Sequence, residues 1–233
     1  MNITLIHGQN HKGSSYHIGR MLAEQFSDST VREFFLPRDL NHFCSGCYCC
    51  LADEKNCPYY TEKKQIMDAV EQADLLIFTT PTYCMRASAP MKSFFDLTFT
   101  YWMIHRPRRS MFSKKAVVIT TASGAGTGTA LKDISNTLFY WGVPYIKEYG
   151  IAVQATNWQQ VSEQKKARIR GDMEKLAKTL GKKKARAGLK TRFVFSMMRM
   201  MQNNNWGSSP EEKAYWEEQG WLGKGRPWKK EKQ

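Results

Sequence analysis

Apolar positions run through the first 180 residues in two alternating rhythms. Residues 1–7 form an apolar strand pattern that ends in a polar, glycine-bearing loop, after which Ile18, Met21, Leu22 and Phe26 recur at helical spacing. Residues 31–36 read as a short second strand. Thr61 is then placed to cap a helix whose Ile66, Met67 and Val70 face inward. Leu75-Leu76-Ile77-Phe78 is a continuous apolar run closed by Thr79-Thr80-Pro81, the pattern of a strand buried on both faces. A helix over about residues 89–99 follows, then a buried strand at Ala116-Val117-Val118-Ile119. Leu131, Ile134, Leu138 and Trp141 mark the next helix face, residues 145–153 a fifth strand, and Val161, Ile169, Met173, Leu176 and Leu180 a last, basic helix.

Five strands separated by helices, with the central ones apolar throughout, predict an α/β protein built on a parallel sheet covered on both faces. Right-handed crossovers leave chiefly doubly wound topologies, and the expected strand order is 2-1-3-4-5. Beyond Leu180 the pattern changes. Gly181-Lys182-Lys183-Lys184 interrupts it, residues 192–201 are apolar and methionine-rich, and Ser209-Pro210-Glu211-Glu212 has the residues of a helix start. The expected division is one domain over residues 1–180 and a helical, aromatic-rich extension over 181–233. The extension is too short for a second domain and is expected to dock on the first or on a partner subunit.

Charge adds one asymmetry. The chain of 233 residues has a formal net charge of +14, and residues 161–233 supply +11 of it. Such a tail could attract nucleic acid, acidic lipid or an anionic cofactor. No established nucleic-acid module matches, so a solvated helix face with a subunit contact is the preferred reading and no nucleic-acid partner is expected. No stretch reaches the ~20 consecutive apolar residues of a membrane span. The N-terminus lacks the basic start and apolar run of a secretion signal, and the expected location is cytoplasmic.

In doubly wound sheets, ligands sit beyond the carboxyl ends of the strands. Three loops occupy that position here. The first, residues 8–16, leads into a helix whose free N–H groups and dipole favour a phosphate. Ser14 and Ser15 add hydroxyls, and His11 or Lys12 could add charge, although neither dinucleotide nor P-loop fingerprint is present. The second, Pro81-Thr82-Tyr83-Cys84-Met85, offers polar backbone after the most apolar strand. The third, residues 121–126, is rich in glycine that a flat ring could approach closely. Together they suit one phosphate and one aromatic ring system.

Five of the six cysteines fall within residues 44–57. The spacing Cys44-x2-Cys47-x2-Cys50-x6-Cys57 could place thiolates around a 4Fe-4S cluster. Zinc, packing and redox-active thiols are the alternatives.

At these residues the chain resembles the NAD(P)H-dependent FMN reductase and multimeric flavodoxin family, from Met1 to about Leu180. The resemblance rests on the first loop, on Ala73-Asp74 with the following strand and Pro81-Thr82-Tyr83, and on Ser88-Ala89-Pro90-Met91-Lys92 with Phe95-Asp96. The cysteine segment and the Tyr215-Trp216 and Gly220-Trp221-Leu222 groups fit as well. It implies a flavodoxin-like fold, bound FMN and a homodimer or homotetramer. Carried over position by position, the phosphate falls to Gln9, His11, Lys12, Ser14 and Ser15. The isoalloxazine falls to Pro81, Thr82, Tyr83, Cys84 and Met85 with Ala122, Ser123 and Gly124. Two departures stand out: Gln9-Asn10-His11 where members commonly have Ser-Pro-Arg, and Tyr59-Tyr60 where they often have paired aspartates.

The implied activity is electron transfer from NAD(P)H through FMN to a quinone, a flavin or a similar small acceptor. The flavin would carry the chemistry, so no catalytic acid or base is assigned, although Tyr83, Trp102 or His105 could line the acceptor side. Two alternatives follow from the leftover features. One is an iron–sulfur flavoprotein electron carrier with its cluster on Cys44, Cys47, Cys50 and Cys57. The other is a binding or regulatory protein that uses the basic tail on nucleic acid or membrane.

Overall fold

The computed structural model describes residues 1–206 and 209–229; residues 207–208 and 230–233 of the expected extension lie outside the described residues. Strands β1 (Asn2–His7), β2 (Thr30–Phe35), β3 (Leu75–Tyr83), β5 (Lys115–Ala122) and β6 (Tyr145–Ala152) form a parallel sheet in the order β2-β1-β3-β5-β6. A two-residue strand, β4 (Arg86–Ala87), pairs antiparallel with the end of β3. Leaving β4 aside, this is the order read from the sequence.

The sheet is covered on both sides, which explains the unbroken apolar runs. Alternate residues of a strand point to opposite faces. Leu76 and Phe78 join Ile6 and Val118 on one face, and Leu75 and Ile77 join Leu5 and Ile119 on the other. Helices α3 (Tyr60–Gln72), α4 (Ala89–Leu97) and α5 (Thr127–Tyr140) cover the first face through Ile66, Val70, Phe94, Ile134 and Leu138. Helices α1 (Ser14–Ala23) and α6 (Glu163–Lys182) cover the second through Ile18, Leu22, Ile169 and Met173.

Two local expectations are corrected. Thr61 does not cap α3; the helix begins one residue earlier, with Tyr59 at the cap and no side-chain hydrogen bond there. The strand expected to close at Phe78 continues to Tyr83, because Thr79 and Thr80 are buried in the ladder opposite Ile119 and Thr120.

Past α6, helices α7 (Leu189–Asn203) and α8 (Pro210–Glu218) pack Val194, Phe195, Trp216 and Trp221 on Met103 and Phe112 as a third apolar cluster. The start of α8 has the geometry its sequence predicts, with Ser209 accepting from the Glu212 N–H. Three carbonyls of the segment before β5 anchor these helices. Gln202 Nε2 donates to Ile104, Trp216 Nε1 to His105 and Tyr215 Oη to Pro107, at 2.5, 2.7 and 2.7 Å. Buried Glu212 adds a 2.8 Å contact to His105 Nδ1.

His7, at the carboxyl end of β1, is buried between Thr79 Oγ1 at 2.7 Å and Glu33 Oε1 at 2.9 Å. Burial lowers its pKa and outweighs the opposing pull of Glu33. The unfolded chain therefore takes up a proton near pH 6.5 that the folded ring resists, and stability falls as pH drops below about 6.5. We expect His7→Gln to flatten this dependence. Urea midpoints at about pH 7.5 and 5.5 should differ less in the variant than in the parent chain.

Candidate functional site

The carboxyl edge of the sheet begins with a hydrogen-bond node. Gly8 N–H donates to the Thr79 carbonyl at 2.7 Å, and the Ser88 hydroxyl donates to the Gly8 carbonyl at 2.6 Å. Thr80 Oγ1 accepts from the Ser88 N–H at 3.0 Å. The node ties the loop after β1 to the end of β3 and the start of α4. A side chain at position 8 would meet Ser88 Oγ at 2.6 Å and the Thr79 carbonyl at 3.2 Å, so glycine is needed for the close approach.

From this anchor the chain turns through Gly13 into α1. Gly13 supplies no capping side chain, and no acidic residue occupies the first turn. His17 N–H takes the Gly13 carbonyl, which leaves the N–H groups of Ser14, Ser15 and Tyr16 without intrahelical acceptors. Helix polarity adds partial positive charge at the same place.

The second loop is not open. β3 reverses into β4 through Cys84 and Met85, with Tyr83 paired to Arg86. Both turn residues take left-handed backbone, φ 48° and 65°, as two-residue hairpins require. The usual residues there are Asn and Gly, so the turn holds strain beside the site. The third loop is drawn to the chain after β6. Val153 N–H donates to the Ala122 carbonyl and Gln154 N–H to the Ser123 carbonyl, both at 2.9 Å. Trp158 then stacks on His17 of α1, ring centres 5.1 Å apart, which folds this chain over the helix start.

The three loops share a cleft of about 100 Å³. His11, Ser14 and Ser15 line one side, Pro81, Thr82 and Tyr83 a second, and Ala122 and Ser123 a third. Gln9, Lys12, Cys84, Met85 and Gly124 do not reach its lining. Lys12 lies over the Tyr16 ring instead, 5.5 Å from its centre, and Met85 packs its sulfur against Gly126. Gly13 and Thr121, inside the first and third loops but assigned no contact there, complete the wall together with Val153, Ala155 and Thr156, which the sequence reading omitted. The small and hydroxyl-bearing residues after the fifth strand were the available signal for Ala155 and Thr156.

The donor chemistry of this cleft suits a phosphate and a flat ring. Among the described residues its lining holds no carboxylate, and it brings Ser14 and Ser15 of the α1 start together with Thr82, Thr121 and Ser123.

The cysteine segment lies apart. Cys44, Cys47, Cys50 and Cys57 line a separate cavity of about 350 Å³ with Tyr59 and Phe99. Cys44 and Cys47 are exposed, Cys50 and Cys57 buried, and all are free thiols. Hydrogen bonds from Cys49 hold the Cys47 thiol below its ordinary pKa, and burial pushes Cys50 up. Among the described residues, no three His, Cys, Asp or Glu side chains converge as a metal-ligand set. The four thiols therefore share a cavity without converging on one point. Arg106 explains part of the layout: its guanidinium donates to the carbonyls of Cys50, Leu51 and Ala52, fixing the short helix α2 (Cys49–Ala52) by its backbone.

A doubly wound parallel sheet with a phosphate-type helix start and a ring-sized backbone edge defines a flavodoxin-like protein. Residues 1–157 match the model of the NADPH-dependent FMN reductase family. The chain belongs to that family of nicotinamide-dependent flavin oxidoreductases. It is similar to the iron–sulfur flavoprotein of Archaeoglobus fulgidus, 29% identical over 103 residues, which is 44% of each chain. The match thus spans less than half the length of that curated relative. Its fold is shared with the NAD(P)H:quinone oxidoreductase from Methanothermobacter marburgensis, TM-score 0.60 at 20% identity over 76% of this chain and 96% of that one. It is shared also with an FMN-dependent NADH-azoreductase from Bacillus anthracis solved with FMN, TM-score 0.56 at 11% identity over 76% and 100%. No helix among the described residues is long and apolar enough to cross a membrane.

The close packing of the loops gives a paired test. Gly126 has φ 97°, and a side chain there would meet Met85 Sδ at 2.6 Å. Gly126→Ala should cost about 1–3 kcal/mol. Gly124, with nothing within 4 Å, should tolerate alanine within about 0.5 kcal/mol. Urea denaturation of the two variants measures both.

Proposed function

We propose that this protein holds FMN on the three-loop edge and passes electrons from NAD(P)H to a small acceptor such as a quinone or free flavin. The observation that carries the reading is the carboxylate-free cleft at the start of α1, walled by small and hydroxyl-bearing residues of all three loops. Family membership supplies the cofactor class.

In this reading the phosphate sits on the first-turn N–H groups with Ser14 and Ser15, beside His11, while Gln9 and Lys12 lie at the outer rim. Thr82 and Tyr83, Pro81 before them, and Ala122 with Ser123 orient the ring edge, with Cys84, Met85 and Gly124 next to that edge. The hydride chemistry is the cofactor's. The chain contributes position, hydrogen bonds and a rigid backing, since the cleft rests on strand ends buried on both faces. No side chain is assigned as acid or base.

The test begins with the protein as purified. We expect an oxidised-flavin spectrum, FMN on extraction, and steady-state oxidation of NADPH or NADH with a soluble quinone. Bound FMN with no turnover on either nucleotide would remove the reductase claim.

Ser14→Asp separates binding from folding. A carboxylate at the first helical position suits the helix dipole, so stability should hold or rise slightly. The same charge opposes a phosphate, and FMN affinity should fall at least about tenfold, which is about 1.4 kcal/mol. Fluorescence titration of the FMN-free protein checks the second effect, and urea denaturation the first.

A further inference from the structure

Helix α7 has two apolar faces, and packing within the chain uses one of them. Thr191, Val194, Phe195 and Gln202 are buried on the third cluster. Successive helical residues turn by about 100°, which places Leu189, Phe193, Met197 and Met200 within an arc of about 80° on the opposite side. These side chains are 86%, 71%, 38% and 48% exposed, and Trp206, just past the helix end, is 57% exposed. For comparison, large apolar residues elsewhere on the chain are exposed singly or in short loops.

Charge frames this stripe with one sign. Lys190 flanks it on one side, and Arg192 and Arg199 on the other. Nine Lys or Arg and no Asp or Glu lie between Glu174 and Glu211. Lys182, Lys183, Lys184 and Arg186, in the approach to α7, have no carboxylate partner among the described residues. Arg192 and Arg199 donate to the carbonyls of Ala187 and Gly223 and so keep their charge unneutralised.

We propose that the exposed face of α7 is a peripheral docking surface for an anionic lipid bilayer. A second copy of the chain would bring two cation-rich stripes together, with no Asp or Glu of residues 175–210 to offset them, which electrostatics opposes. The stripe forms an exposed apolar ridge along the helix. Such a ridge enters a deformable acyl boundary, with Lys and Arg reaching the head groups on either side. At 15 residues the helix is too short to span and long enough to lie in the interface. Trp206 at its end is of the type that settles at head-group depth. The surface does not depend on what the flavin reduces.

Flotation of the full-length protein with vesicles tests this. With equal parts phosphatidylglycerol and phosphatidylcholine we expect co-flotation at low salt that weakens from about 50 mM to about 500 mM. Phosphatidylcholine alone should not bind. Leu189→Ser with Phe193→Ser should lower the apparent affinity at least about tenfold, and Lys183→Glu with Lys184→Glu should do the same. Both pairs are exposed, and an unchanged melting curve will confirm the fold. No flotation at low salt would overturn the proposal, as would flotation that the serine pair leaves intact. So would binding to polyglutamate at equal salt without flotation, which assigns the face to acidic protein. A larger assembly in sedimentation that the serine pair dissolves would assign it to a second copy. Because no nicotinamide is present, the result is independent of the FMN reading.

Discussion

The backbone of Gly8 is held from both sides, by the Thr79 carbonyl at its N–H and by the Ser88 hydroxyl at its carbonyl. The first two loops of the candidate site are placed relative to this contact. It fixes how far the chain after β1 may travel before entering α1, and so where the first-turn N–H groups point. It also fixes the end of β3 against the start of α4, which decides where the β3–β4 hairpin leaves the sheet. The contact is made by groups buried on a sheet that is itself buried on both faces, so little of its energy is lost to competing water. Glycine at position 8 is thus a packing requirement that a binding edge inherits.

The fold was legible because burial on both faces leaves an unambiguous mark. Leu75 to Phe78 and Ala116 to Ile119 have no polar position to spare, and few topologies accept such strands. The site was legible to the extent that loops following those strands must meet at one edge. What escaped is tertiary in origin. Cys84 and Met85 lack the residue types that announce a two-residue hairpin, so nothing local distinguishes their left-handed turn from an open loop. The chain after β6 is recruited by the pairing of Gln154 with Ser123 and by Trp158 on His17, contacts between residues far apart in sequence. His7 reads as one more strand residue until Glu33 and Thr79 are seen beside it.

The cysteine segment shows the opposite relation, a motif whose spacing is more regular than the placement of its thiols. Spacing alone brings Cys44, Cys47, Cys50 and Cys57 to one cavity. Whether they converge further depends on backbone direction, which Arg106 controls through three consecutive carbonyls. The left-handed Gly46 and Tyr48, φ 69° and 57°, send successive thiols to different surroundings. Two of them face solvent and two face the protein; hydrogen bonds from Cys49 hold the Cys47 thiol down, while burial pushes Cys50 up.

The same contrast applies to the extension, where one helix carries two apolar faces with different fates. The face holding Phe195 is satisfied inside the chain, because Met103, Phe112, Trp216 and Trp221 close over it, and hydrogen bonds to Ile104, His105 and Pro107 fix the angle at which it lies. That fixed inner face determines the outer one, since the helix cannot rotate to hide Leu189 and Phe193 without exposing Phe195 and Val194. An apolar stripe held outward by packing on its other side must stay in water or meet a partner. With no carboxylate between Glu174 and Glu211, the surroundings of that stripe favour a partner that is both apolar in depth and negative at its surface.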